Sequence, residues 1–518
     1  MKKYIALALG LLFILGFTAT AFAIHIPDLP PDEQIVTAKG SEISLGGRIM
    51  VRGWYFSNAF FEGALGTSTN VTAVPGEPSH GVEPNDVALW TTNIALTLAA
   101  KISENVQGFI ELEVAQGENV QSGLYIWGGG PNVFQGHDSK PNADLRFRQA
   151  WILYTGSGLL GAPAGIKIGH QLITLGEKQF LNHERFGDDA LIVFVNPTKE
   201  LHIAAATVKA NEGAYTLPGD DLNVYALIGT YKLNKDNTAG INYALFQNTD
   251  LEDTFGGVYT GLDELSFQNL GLHANGMLAG MINYAVEFDT QFGKAKGVDT
   301  NEPEHNDVGD VVLEDLKYRG YALYIKGGYQ IPDTPLNLRA SFAYGSGDGN
   351  GIGDGKISEF QVSQGFDSEV AVARFVHYTQ IYEKTIATAA LIQTLGGNGA
   401  ILGTAQGAPH RNTGIANTTY YNLGLDLAAT KDLSLSLDGF LLRATKTGGW
   451  QEVTPGNPDV SKNLGWELDF KGSYKLAKNL TYFIEAGSFA AGAFYEDTGL
   501  VDNKASVKQI IHGLNLTF

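Results

Sequence analysis

The chain predicts an all-β fold, a transmembrane antiparallel β-barrel of about 18 strands with short periplasmic turns and long extracellular loops. Three observations point there. Apolar and polar residues alternate with a period of two along most of the sequence, the signature of strands with two unlike faces. The patterned segments are joined by connections that are alternately short and long. The composition is rich in ring side chains and glycine and poor in charge, with 27 Phe, 22 Tyr, 64 Gly and 17% charged residues, where soluble chains carry about 25% charged residues.

The 518 residues hold 35 Lys plus Arg against 55 Asp plus Glu, a formal net charge of -20. That acidity leaves no basic footprint for a nucleic-acid partner. With no Cys, disulfides, thiolate metal sites, Cys-attached haem and a lipidated N-terminal Cys are all excluded. No cofactor is implied.

Residues 1–23 read as a signal peptide: Lys2 and Lys3, an apolar run from Tyr4 to Phe17, then Ala21-Phe22-Ala23 at the cleavage site. Residues 24–42 follow as a periplasmic leader containing Pro27, Pro30 and Pro31, and 43–518 as the barrel. The destination is the bacterial outer membrane.

Strands are expected at 43–56, 87–100, 105–115, 144–154, 165–172, 189–195, 201–209, 222–233 and 238–248. Further strands are expected at 265–275, 279–292, 318–330, 336–346, 418–429, 432–445, 462–475, 478–491 and 505–518. Setting aside 189–195 and 265–275, the weakest patterns, leaves 16. Residues 280–292 show the alternation well: Ile282, Tyr284, Val286 and Phe288 against Asn283, Glu287, Asp289 and Gln291. The short turns include 101–105, 234–237, 332–335, 430–432 and 477–479, and the long loops 58–86, 116–143, 294–317 and 446–461. Only a closed sheet pairs every backbone group in hydrocarbon. Tyr154, Tyr231, Tyr329 and Tyr474 lie beside short turns, where amphipathic rings suit a headgroup layer. The last strand alternates through Ile510, His512, Leu514 and Leu516 to a terminal Phe518. Such an ending resembles the recognition signal read by the barrel-assembly machinery, an expected partner alongside outer-membrane lipids.

One connection, 347–417, is far longer than ordinary loops. Val370, Val372, Phe375, Tyr378, Ile381 and Tyr382 could form one side of a helix within 367–395. The segment is either a constriction in the lumen or an external loop.

With the Leu/Ile/Val face taken as lipid-exposed, the opposite face gives the pore-lining set. Its basic members are Arg48, Arg52, Arg146, Arg148, Lys167 and Arg339, and its acidic members Glu111, Glu113, Glu287 and Asp289, with Glu467, Asp469 and Glu485 as further candidates. Charged rings in a narrow pore select among solutes. The same inward placement also follows from the cost of charge in lipid, about 2–4 kcal/mol for Arg or Lys at the midplane.

The segment Leu145-Arg146-Phe147-Arg148-Gln149-Ala150-Trp151, followed by Gly165 to Gln171 and Gly176, resembles the central motif of alginate-export-like porins. Phe342 to Asp348, Trp466 to Asp469 and Phe489 to Phe494 resemble later strands of that group. The resemblance implies an 18-stranded outer-membrane barrel. His170 stands where those porins usually carry Arg.

Catalytic and metal motifs are weak. The chain has no His-Glu-x-x-His and no Ser at nucleophile-elbow spacing. Asp348-x-Asn350 opens like a calcium loop, but Ile352 occupies the next ligand position. The expected function is therefore a channel for small hydrophilic or charged solutes and not an enzyme. Alternatives are a duct exporting an anionic polysaccharide or serving a partner complex, and, further off, a barrel enzyme.

Overall fold

A computed structural model of the chain describes residues 34–38, 41–57, 86–115, 125–126, 144–159, 161–184, 187–212, 221–249, 262–297, 315–349, 354–364, 378–382, 415–447, 460–497 and 506–518. The expected signal peptide lies outside these residues.

Among the described residues the main sheet has 22 strands, of which four short ones (Gln34–Ala38, Tyr125–Ile126, Leu316–Tyr318, Lys356–Ile357) are additions, leaving 18 in the wall. The first wall strands are β1 (Ser41–Ser57), β2 (Asp86–Lys101), β3 (Val106–Ala115), β4 (Asp144–Leu159), β5 (Ala162–Gln171) and β6 (Asp188–Val195). Then come β7 (Leu201–Asn211), β8 (Leu222–Lys232), β9 (Asn237–Asn248), β10 (Leu262–Leu278), β11 (Ile282–Gly297) and β12 (Tyr321–Gln330). The last six are β13 (Leu336–Gly345), β14 (Thr418–Ala428), β15 (Leu433–Ala444), β16 (Asn463–Ala477), β17 (Leu480–Ala491) and β18 (Ser506–Thr517). Each wall strand pairs antiparallel with its sequence neighbours, and β1 closes the ring on β18 from Arg48↔Thr517 to Ser57↔Lys508. The count of 18 holds and 16 does not, because 188–195 and 262–278 are both full wall strands.

The seam is fastened at its end. Gly47 N donates to Phe518 O at 2.7 Å and Phe518 N to Gly47 O at 3.1 Å. The Phe518 ring lies where a Cβ on Gly47 would be, 2.7 Å from its Cζ, so only glycine admits it. Wall strands run from 8 to 17 residues, against the roughly 9–11 needed to cross a bilayer at a tilt. Outward residues form an apolar belt, with Leu423 73%, Leu227 58%, Ile152 58% and Trp466 49% exposed. Such a surface belongs in hydrocarbon. No helix among the described residues is long and apolar enough to cross a membrane.

Three expectations change in detail. β1 begins at Ser41, two residues earlier than expected, and Gln34–Ala38 in the leader folds back on Ser41–Leu45 as a hairpin. The strand expected at 318–330 is split: the short strand Leu316–Tyr318 pairs antiparallel with β11 at Lys294 and Ala295 and in parallel with Lys356–Ile357, and the wall strand begins at Tyr321. The helix expected within 367–395 is absent from its described part: 378–382 are bend and turn. The rest of that helix, 367–377 and 383–395, lies outside the described residues.

Candidate channel interior

The inner face falls into three sectors that the alternation alone does not separate.

The first, on β1 to β5, is basic. Arg48 Nη2 donates to Asn93 Oδ1 at 2.7 Å, and Asn93 Nδ2 passes the contact to Glu113 Oε1 at 2.6 Å. Arg52 lies over the Trp54 ring at 4.7 Å, and Trp54 Nε1 donates to Thr91 Oγ1 at 2.8 Å. A β-bulge separates Phe147, opposite Leu112, from Gln149, opposite Glu111. The extra residue is Arg148. A bulge re-aims a side chain, and here it sends Arg148 and Gln149, neighbours in sequence, to the same carboxylate. Arg148 Nη1 reaches both Glu111 oxygens at 2.8 and 2.9 Å, and Gln149 Nε2 reaches Oε2 at 2.7 Å. Arg146 is half-buried. Lys167 is buried with its Nζ 4.2 Å from the centre of the Trp151 ring, which stacks on Phe109.

The second sector, on β7, β8 and the parts of β9 and β10 that carry Phe246 and Phe267, is largely apolar on both faces. Inward Ala204, Ala206, Val208, Leu222, Val224, Ala226, Ile228, Phe246 and Phe267 are buried, while Ile203, Tyr225, Leu227 and Ile241 point out. A uniformly polar interior, as the alternation suggested, is therefore not what this chain builds. The signal was present in 222–228, where apolar residues outnumber polar ones at both parities.

What covers that apolar face is chain from long connections folded into the barrel. Residues 172–184, between β5 and β6, bring in Ile173, Leu175, Phe180 and Leu181. Residues 354–364 bring in Ile357 and Phe360. The two meet as a parallel ladder, Ser363↔Leu181 and Gln364↔Asn182. Phe180 packs on Phe246, Phe267 and Phe360. The Tyr378 hydroxyl bonds Gln179 Oε1, so 378–382 joins the same inward body.

The third sector, on β11 to β16, is acidic. Glu287 Oε2 accepts the backbone N–H of Glu177 at 2.6 Å and of Gln179 at 3.4 Å. Five strands further on, Glu467 accepts the N–H groups of Gln380 (2.8 Å), Ile381 (2.6 Å) and Tyr382 (2.9 Å), and Asp469 Oδ2 accepts Gln380 N at 3.0 Å. Those amides donate to carboxylates instead of to carbonyls four residues back, the physical reason that this stretch is not helical. Gly176 explains the approach to Glu287. Its φ is +53°, and a Cβ there would stand 2.1 Å from Glu287 Oε1. Gly487 similarly leaves room for Ile381, whose Cδ1 is 3.0 Å from where its Cβ would be.

Asp289 is buried and takes Asn269 Nδ2 at 2.8 Å. Arg339 is tied down: its Nε meets Asp426 Oδ2 at 2.7 Å, and its Nη1 and Nη2 meet the two Asp438 oxygens at 2.9 and 2.8 Å. The sequence-derived set thus divides by job. Arg48, Arg52, Arg146, Arg148, Lys167, Glu111 and Glu113 share one wall, Arg339 crosslinks β13 to β14 and β15, and Glu287 and Asp289 are sealed beneath a loop. Gln291 was absent from that set. Its amide clips Gln361 through Gln361 N to Oε1 at 2.8 Å and Nε2 to Gln361 O at 2.6 Å.

Two loop carboxyls feel their surroundings. Burial pushes the Glu359 carboxyl well above the ordinary glutamate value, helped by nearby Asp348. Burial also raises Glu177, against an opposing hydrogen bond from Asn275 and the charges of Lys326 and Lys178. Among the described residues no group of three or more His, Asp and Glu side chains is gathered closely enough to chelate a metal.

No protein-family model matches the chain, and no curated protein matches it. Solved structures do. Pseudomonas aeruginosa OccK2 (OpdF) is similar at a TM-score of 0.48 and 11% identity, over 92% of this chain and 98% of that one. Pseudomonas aeruginosa OccK8 (OprE) gives 0.47 and 12% over 92% and 98%, and Pseudomonas aeruginosa OprD 0.47 and 10% over 92% and 95%.

Proposed function

We propose that the protein is an outer-membrane channel for small hydrophilic or charged solutes, its bore narrowed by the three inward segments. The observation that carries this reading is the pairing of a closed wall, apolar outside, with a basic sector inside it. Lipid would penalise any open edge or outward charge. Inside, Arg48, Arg52 and Arg146 are cationic groups along one track, while the carboxylates of the acidic sector are engaged by loop amides, Asn269 and Arg339. A solute with a negative group would move along the basic track, its counter-charge shared by successive arginines. The secretory leader at 1–23 and the terminal-Phe strand fit delivery to the outer membrane and handling by the assembly machinery.

The narrower reading, an alginate-export-like porin, rests on the Arg146 to Trp151 strand and the Gly176 loop. Their local roles suit it: the bulged Arg148 anchors Glu111 and also donates to Glu184 O at 2.5 Å, linking the wall to the inward loop. Planar-bilayer recording of purified protein tests the channel. Ohmic single-channel current whose anion preference falls on Arg48→Gln/Arg52→Gln supports it. A closed barrel that passes no current contradicts it.

A further inference from the structure

Two carboxylates on the inner wall have an environment that the channel reading leaves unexplained. Glu287 and Asp289 stand two apart on β11, both facing inward, at 1% and 0% exposure. Each keeps one oxygen, Glu287 Oε1 and Asp289 Oδ2, to which no amide, amine or hydroxyl group donates. The two carboxyl groups are within hydrogen-bonding reach of each other. Neither is bonded by Lys or Arg: Lys326, on the adjacent β12, interacts instead with Glu177, Asp426 and Asp438. Two buried negative charges held together without a counter-charge are strongly disfavoured.

A third side chain is turned toward the same spot. Asn242 on β9, Gly271 on β10 and Asp289 form one register row. Gly271 has no side chain, and both neighbours lean over it: a Cβ there would lie 2.6 Å from Asn242 Oδ1 and 2.6 Å from Asp289 Oδ1. Asn242 is 1% exposed, and neither its Oδ1 nor its Nδ2 has a partner. In the next row His273 faces Glu287, its Nδ1 also without a partner. A buried amide with all its polar atoms idle is costly, and such groups point to a missing ligand.

We propose that Glu287, Asp289 and Asn242 form a binding site for a hard divalent cation on the inner wall, beneath residues 172–184. Two carboxylates and an amide oxygen are the donor chemistry of calcium or magnesium, and the ion's charge balances theirs. Glu287 then works with both oxygens: Oε1 on the cation, Oε2 on the amides of Glu177 and Gln179. The cation would orient the carboxylate that holds the loop, as outer partners orient metal ligands elsewhere.

The test is calorimetric titration of CaCl₂ and of MgCl₂ into chelator-treated, detergent-folded protein, with heat-modifiable gel mobility reporting the barrel. It reads binding and not current, so it stands or falls apart from the channel assignment. One saturable site per chain for either ion is expected, weakened at least about tenfold by Asp289→Asn and tightened several-fold by Asn242→Asp, since affinity tracks ligand charge. The gain in Asn242→Asp is something a purely structural amide would not produce, and it keeps the proposal open to test should Asp289→Asn fail to fold. Absence of binding by both ions, or binding unchanged in the folded variants, overturns the site.

Discussion

The carboxylate pairs Glu111/Glu113 on β3 and Glu467/Asp469 on β16 look alike in sequence. Each is two acids two residues apart on a strand, both turned inward. In the fold they do opposite things. Glu111 and Glu113 are answered by wall side chains, Arg148 with Gln149 and Asn93 with Arg48. Glu467 and Asp469 are answered by main-chain amides of Gln380, Ile381 and Tyr382. The first pair stiffens a wall that would stand without it, whereas the second, together with the ring contacts of Tyr378 and Tyr382, holds a loop segment in place. An inward carboxylate is therefore defined by its donor, and a donor on the main chain leaves no trace in side-chain patterning.

Breaking the second arrangement has the largest expected effect. Glu467→Ala orphans the buried amides of Ile381 and Tyr382, each costing about 1–3 kcal/mol, while Gln380 N keeps Asp469 Oδ2. The segment around 378–382 should become sensitive to protease while the barrel keeps its heat-modifiable mobility. Gly176→Ala comes next. The positive φ alone costs about 1–2 kcal/mol, and the new Cβ collides with Glu287, so hydrogen exchange in 172–184 should quicken markedly. Arg148→Met tests the wall pair and should be milder. Gln149 still serves Glu111, the Arg148 side chain is 20% exposed, and the loss should be about 1 kcal/mol in thermal unfolding. The smallest effect is one of pH. The Glu359 carboxyl is raised in the folded state, so its contribution is fully present below the ordinary glutamate range. That contribution is lost as pH rises through the raised value. Protection of 354–364 should fall over that window, and Glu359→Gln should flatten the dependence.

The wall was legible because lipid enforces a rule that sequence can carry. Every second residue of a spanning strand faces hydrocarbon, so Tyr421, Leu423 and Leu425 announce β14 unaided, and 188–195 and 262–278 proved to be strands despite their weaker patterns. Loop parity followed, since short turns gather on one rim. The inner arrangement was only half legible. Inward Arg48, Arg148 and Arg339 could be picked by parity, but the bulge that turns both Arg148 and Gln149 inward breaks parity locally. The apolar inner face on Ala204–Val208 and Leu222–Ile228 was legible only as a loss of alternation, because apolar residues there serve two faces at once. The docking of 378–382 was least visible: its aromatic spacing suggested a helix, and the deciding contacts are amide groups that every residue possesses.

The central claim is that loops clamped on paired inner carboxylates narrow an otherwise open 18-stranded bore. Single-channel conductance of Glu467→Ala/Asp469→Ala against the unsubstituted protein, in the same bilayer and salt, tests it most directly. A clear rise in conductance with the barrel intact is the predicted result. Equal conductance in the two proteins would mean that the clamped segment does not restrict the passage, and the account would be contradicted.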